Sequence, residues 1–364
     1  MVDSEIRGLP VISAASRAFS LVEMLVALAI FALILLIVTQ VVGETERAWK
    51  HSSANIQAFQ NARVGFDAMY RAISEATLNT YYDYYESPSL AGTSTFTPMT
   101  SANTATFIPS VYGRYSELHF ISGKTLVSTP RAQVTHSVFF QAPLSYTATS
   151  ASYGNMTSLL NGVGFYIDFN SDQGNWPTFF PSLSTQPAPR WRYRLMEFMQ
   201  PTEQLTVYTG NSGTAWFTAP LVSTSPPVVV LAENIIACVI CPHLPGEMTP
   251  TSPGTSLTSN YEYDSRAASS PWTSGTQPTS MNQLPPLVRL VLIAADEGSM
   301  IQIQGSSTTQ PSLGFTTSGP AAVFQNPAYL TTDLATVSAA LTAHRINYRI
   351  FQTDVPIRSA SWSQ

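Results

Sequence analysis

From residue 19 to residue 42 the chain reads FSLVEMLVALAIFALILLIVTQVV, an apolar run with one ionisable side chain, Glu23. About 20 consecutive apolar residues suffice to cross a bilayer as a helix, so this run predicts a transmembrane segment over about 19–42. Beyond it the pattern changes rather than stops. Trp49, Ile56, Phe59, Phe66, Tyr70 and Ile73 recur at spacings of three, four and seven, the stripe of an amphipathic helix. No proline interrupts residues 19–86. The expectation is therefore one long helix from residue 19 to about residue 78, its second half packed on a globular part.

From residue 81 the helical period gives way to short runs rich in β-branched and aromatic residues, separated by Pro, Ser, Thr and Gly. Strands are expected at 115–121, 134–141, 162–169, 191–198, 204–209, 228–239, 287–294 and 345–351, with a short helix at 332–341. Long polar loops are expected at 87–103, 246–283 and 305–326. No internal repeat is visible. The fold class this predicts is α+β: a long N-terminal helix, transmembrane in its first half and amphipathic in its second, packed on a large β-rich head. In domain terms that is a leader over 1–18, the helix over 19–80 and the head over 81–364.

The apolar run is too long for a secretory signal, whose apolar region is about 7–15 residues, and Gly43, Glu44, Thr45 and Glu46 come after it instead of a small-residue cleavage site. Nor does it read as a plain anchor. A carboxylate inside a bilayer costs at least a few kcal/mol and is usually kept for a function. The polar stretch ending Ser16-Arg17-Ala18 passes abruptly into Phe19, with Glu23 four residues on. That order resembles the class III signal of type IV prepilins and pseudopilins. The resemblance implies that a prepilin peptidase cuts between Ala18 and Phe19 and then methylates the new N-terminus on Phe19. Glu23 falls on the family's acidic fifth position of the mature chain, where it would neutralise a Phe19 amine and set the register between packed helices. This chain has Ala18 where the family usually has glycine, and its leader carries Asp3, Glu5 and Pro10.

Arg7 and Arg17 before the span are balanced by Arg47 and Lys50 after it, so charge alone does not orient it. The resemblance implies an N-terminus inside the cell, a head outside the cytoplasm and anchoring in the inner membrane. The helix and its continuation FQNARVGF (59–66) are similar to pseudopilin J of type II secretion. A closer likeness is to the prepilin-type family known as Verru_Chthon cassette protein C. It is carried by ATLNTYYDYY (76–85), RYSELHFISG (114–123), RLMEFMQPTEQL (194–205), NQLPPLVRLVLIAADE (282–297) and INYRIFQTDVPIRSASWS (346–363).

Composition sharpens this in one respect. Charged residues make up only 11% of the 364 and the net charge is −5, so no basic cluster exists to neutralise phosphates and no nucleic-acid partner is expected. The chemistry-bearing candidates are few. Cys238 and Cys241 with His243 suggest a metal or redox pair, but residues three apart on a strand face opposite sides, so two buried thiols are expected, with a local disulfide as the alternative. Asp168, Asn170 and Asp172 resemble the start of a calcium loop. The glycine and glutamate an EF-hand needs are absent (Gln173 and Phe179 stand there), which favours a turn between strands. Arg190, Arg192 and Arg194 are expected on a solvated strand face, opposite Trp191 and Tyr193. Tyr81, Tyr82, Tyr84 and Tyr85 are expected to pack as a hinge between helix and head. No G-x-S-x-G, H-E-x-x-H or P-loop occurs. The reading is thus a structural subunit without enzymatic activity or cofactor: a minor pilin or pseudopilin that meets prepilin peptidase, other prepilin-like subunits and membrane lipid. The alternative is an anchored binding module that holds a polysaccharide, a surface or cargo.

Overall fold

A computed structural model describes residues 21–100, 102–128, 134–177, 179–182, 185–208, 213–246, 256–266, 271–319 and 322–362. The expected helix is there as one element, α1 (Leu21–Ser74). The chain nevertheless divides into two compact units, Met1–Ser53 and Ala54–Gln364.

In the second unit, α1 buries Ala62, Phe66, Met69, Ala72 and Ile73, with Phe59 and Tyr70 partly covered. These positions repeat every three to four residues, as the sequence stripe requires. Small residues decide how closely the helix docks. A Cβ on Gly65 would lie 3.2 Å from Leu195 and 3.4 Å from Ala232, so any side chain there would force its neighbours to shift. Trp49, expected on the same stripe, lies in the first unit and is exposed; the side chain of Ile56 lies outside the described residues. The helix ends at Ser74, short of the expected residue 78. The chain then turns so that Thr77 bridges Gln141, and the C-terminal segment caps the last turn, Arg358 N–H donating to the Ser74 carbonyl at 3.0 Å. A helix end needs such outside donors for its free carbonyls.

The elements after the helix are, in chain order, β1 (Tyr81–Glu86), α2 (Pro88–Ala91), β2 (Thr97–Pro98), β3 (Val111–Tyr115), β4 (Ile121–Gly123), β5 (Ser137–Ala142), α3 (Ser150–Tyr153), β6 (Asn161–Ser171) and β7 (Trp191–Gln200). Then come α4 (Ala215–Leu221), β8 (Val228–Glu233), β9 (Ile235–His243), β10 (Tyr263–Asp264), β11 (Leu287–Ala295), α5 (Glu297–Gln304), α6 (Leu330–Ala343) and β12 (Tyr348–Pro356). They form a six-stranded antiparallel sheet in the order β10-β4-β5-β6-β7-β8, a three-stranded sheet β12-β11-β9, and a small sheet β2-β1-β3.

The central strands of the six-stranded sheet are buried on both faces, and the strand period of two divides their side chains between two cores. Val138, Phe140, Val163, Phe165, Ile167 and Leu195 join the core shared with α1 and with β9 and β11. Phe139, Tyr166, Met196 and Phe198 point the other way, onto Trp216, Phe217 and Leu221 of α4. Gly164 permits this second core: the Phe139 ring lies over it, where a Cβ would come within 2.1 Å, and stacks on Phe217 at 4.0 Å.

Several expectations are corrected. The run 228–239 is two strands in two different sheets, broken at Asn234, whose φ of 59° is left-handed. Asparagine tolerates that conformation better than any β-branched residue. Its carbonyl accepts from Ala295 N–H at 2.9 Å and its side-chain amide donates to Glu297 at 2.6 Å, fixing the crossover. Asn234→Val should therefore lower stability by about 1–2 kcal/mol more than Asn234→Gly, because only the valine adds left-handed strain; equal urea midpoints for the two variants would remove that reading. The expected strand 115–121 is instead the break between β3 and β4, and 204–209 is no strand in its described part. Nor are the expected loops structureless: 87–103 holds α2 and β2, and 246–283 contributes β10 and buries Tyr261, Tyr263 and Trp272.

Candidate processing and assembly segment

Ala18 and Phe19, the expected cleavage site, lie outside the described residues. The segment immediately beyond them, Leu21–Trp49, is helical and apolar enough to cross a membrane, with mean hydropathy 3.1 over its most apolar window. Its large apolar side chains from Leu21 to Val42 are exposed, Leu21 to 78% and Val38 to 50%. At ~1.5 Å per residue, residues 21–42 rise about 33 Å, matching a hydrocarbon layer of roughly 30 Å. So large a continuous apolar surface is incompatible with water and marks contact with lipid or other apolar helices.

The polar side chains along this segment are accommodated locally. Thr39 donates its hydroxyl to the Leu35 carbonyl at 2.8 Å, and Thr45 to Val41 at 2.7 Å, so neither hydroxyl needs water. Charge returns at Glu44 and Arg47, 3.3 Å apart. Glu23 stands in the first described turn of α1, the one carboxylate within the apolar run.

The other candidates resolve as parts of the head. Cys238 and Cys241 are buried thiols on β9 that form no disulfide, and burial pushes the pKa of each up to about 12, far from thiolate chemistry at neutral pH. Among the described residues, no cluster of His, Cys, Asp and Glu could hold a metal ion. Asp168 and Asn170 sit within β6, paired with Arg194 and Arg192 of β7, and Asp172 comes directly after, its carboxylate accepting from the Arg190 backbone N–H at 2.8 Å. Arg190 is solvated as expected, its side chain 59% exposed, but the other two arginines depart from expectation. Arg192 and Arg194 are 4% and 0% exposed, not solvated. Arg194 donates to Glu233 at 3.1 Å and to the carbonyl and side chain of Asn170 at 2.5 and 2.6 Å; Arg192 donates to Glu297 at 3.0 Å. The tyrosines depart too. Tyr81, Tyr82, Tyr84 and Tyr85 lie in β1 rather than in a hinge; Tyr85 is buried, while Tyr82 is 68% exposed and Tyr84 packs against Tyr112 with ring centroids 4.1 Å apart, tilted by 33°.

One polar arrangement has no signal in the sequence. His119 is buried with both ring nitrogens engaged: Trp216 Nε1 donates to Nδ1 at 3.1 Å, which leaves Nε2 to donate to Asp264 at 2.8 Å. Burial lowers the His119 pKa below the usual histidine range, and the Trp216 bond likewise requires the neutral ring. Asp264 stays ionised: burial would raise its pKa, but the bonds from His119 and Arg266 outweigh that and lower it. The three residues lie about 50 to 145 positions apart, which no spacing rule could have joined.

Residues 13–39 match the prokaryotic N-terminal methylation motif. The match spans the expected cleavage site, Glu23 and most of the apolar helix, and it supports a type IV pilin-like protein with a single membrane-anchoring helix. No curated protein and no solved structure matches the chain.

Proposed function

We propose that this type IV pilin-like chain is a minor structural subunit of a type IV pilus-like or type II secretion-like filament, assembled through its N-terminal helix. The observation that carries this is the methylation motif over 13–39, continued directly by a helix whose apolar surface is exposed all round. A prepilin peptidase releases the leader between Ala18 and Phe19 and methylates Phe19. The mature helix leaves the inner membrane by packing against the helices of other prepilin-like subunits, with the head outside the cytoplasm. Glu23 neutralises the Phe19 amine of a neighbour during that packing, because neither charge is stable alone in an apolar setting.

The head argues for low copy number. With the docked end of α1 it makes up the compact unit Ala54–Gln364, and it carries sheets, helices and insertions that each shaft repeat would have to accommodate. A subunit at or near the tip needs a partner only on its lower side. Mass spectrometry of the native protein should find a mature N-terminus at methylated Phe19; a protein that keeps residues 1–18 in the presence of the peptidase contradicts the proposal. Quantitative proteomics of purified filaments should find the chain far below the major subunit in abundance.

A further inference from the structure

A cavity of about 630 Å³ opens in the head beside the small sheet β2-β1-β3, within the size range of small-molecule sites. We propose that it is a binding site for a neutral sugar unit of a glycan, a role that does not depend on assembly into a filament.

The polar groups of the cavity are held before any ligand arrives. Asp264 Oδ1 accepts from His119 and from the Arg266 backbone N–H at 2.7 Å, which fixes the carboxylate plane. Oδ2 has no partner among the described residues, and Asp264 lines the cavity. The Arg266 guanidinium is pinned through Nη2 to the carbonyls of Glu117 and Val207. Its Nε and Nη1 have no partner among the described residues. The wall therefore offers a rigid acceptor and a rigid pair of donors two residues apart, the complement of adjacent sugar hydroxyls, each of which both donates and accepts.

The apolar part of the wall has the matching character. Tyr208 is 55% exposed, and Tyr115 and Phe96 are half-buried. Ring faces cover the C–H face of a pyranose at little entropic cost, since each ring has two torsions. Charge selects the class of sugar. Asp264 and Glu117 outnumber Arg266, and the neutral His119 adds nothing, so the site repels phosphates and uronates. Glu117 itself is occupied by Asn79 and by the Tyr81 hydroxyl at 2.7 Å, so it acts through its field and not by contact.

The test uses the full chain in lipid nanodiscs, because alkyl-glycoside detergents would compete for the site. Neutral glucan, mannan and galactan oligosaccharides are titrated by calorimetry beside uronate-containing and amino-sugar counterparts. Saturable binding of at least one neutral oligosaccharide is expected, weakened about tenfold or more by Tyr208→Ala and by Arg266→Gln. Tyr208 makes no hydrogen bond among the described residues, so its variant should keep the parent Tm and isolates recognition from folding. Binding of none of the neutral sugars, tighter binding of the charged ones, or a Tyr208→Ala protein of unchanged affinity overturns the proposal.

Discussion

Glu23→Ala is expected to insert into the membrane at the parent level and to lose incorporation into filaments by about tenfold or more. The two halves of this result separate two roles of the residue. Insertion depends on the apolar length of Leu21–Trp49, to which a lone carboxylate contributes nothing favourable. Assembly brings the cleaved Phe19 amine into an apolar bundle of helices. Without a neighbouring carboxylate that charge costs at least a few kcal/mol, and about 1.4 kcal/mol is already a factor of ten. Glu23→Asp should recover part of the loss, since the charge remains but its reach shortens. Membrane fractionation and filament immunoblots measure the two quantities separately. Normal incorporation of the alanine variant would show that Glu23 plays no part in packing, while leaving cleavage at Ala18 to be judged by its own measurement.

The second large effect concerns the head. Arg194→Ala should destabilise it by about 2–5 kcal/mol, through the cavity left by a large buried side chain and the hydrogen bonds it gives up. Arg194 is fully buried and supports three chain segments: β8 through Glu233, the end of β6 through Asn170, and the approach to β7 through the Arg190 carbonyl at 3.3 Å. Its removal leaves an opening and strands those acceptors. Glu233→Gln should cost much less, because Glu233 is 40% exposed and solvent screens its charge. The neighbouring pair adds a pH dependence. Burial alone would raise the pKa of Glu297, but the bonds from Arg192 and Asn234 outweigh it and hold the carboxyl below the usual glutamate range. A depressed carboxylate stabilises the fold fully above its unfolded pKa, near about 4.3, and that contribution disappears as pH falls through the folded value. Unfolding should therefore become easier below about pH 4, and Arg192→Met should flatten the acid limb. A head that unfolds at the same urea concentration with Arg194→Ala would show that the network contributes no net stability.

What the sequence determined by itself is whatever depends on local order along the chain. The apolar run after Ala18, the single Glu23 within it and the three-to-four spacing that ends at Ile73 specify the membrane helix and its docking face, because helix period and bilayer thickness are local rules. The strands with alternating or continuous apolar character, β5, β6, β7 and β11, were legible for the same reason. The positions of Cys238 and Cys241 on one strand likewise excluded a shared face. Only tertiary structure decided the rest. Nothing local says that 228–239 must break at Asn234; the break is needed because β8 and β9 serve different sheets. Nothing in Arg192 and Arg194 announces burial, since the carboxylates that make it tolerable, Glu297 and Glu233, arrive 105 and 39 residues later. The tyrosines of β1 became a strand because β3 pairs with them from about 26 residues away or more. The cavity beside that sheet is assembled from segments near residues 96, 117, 208 and 264, so its shape and its partly unpaired polar wall exist only once the chain has closed.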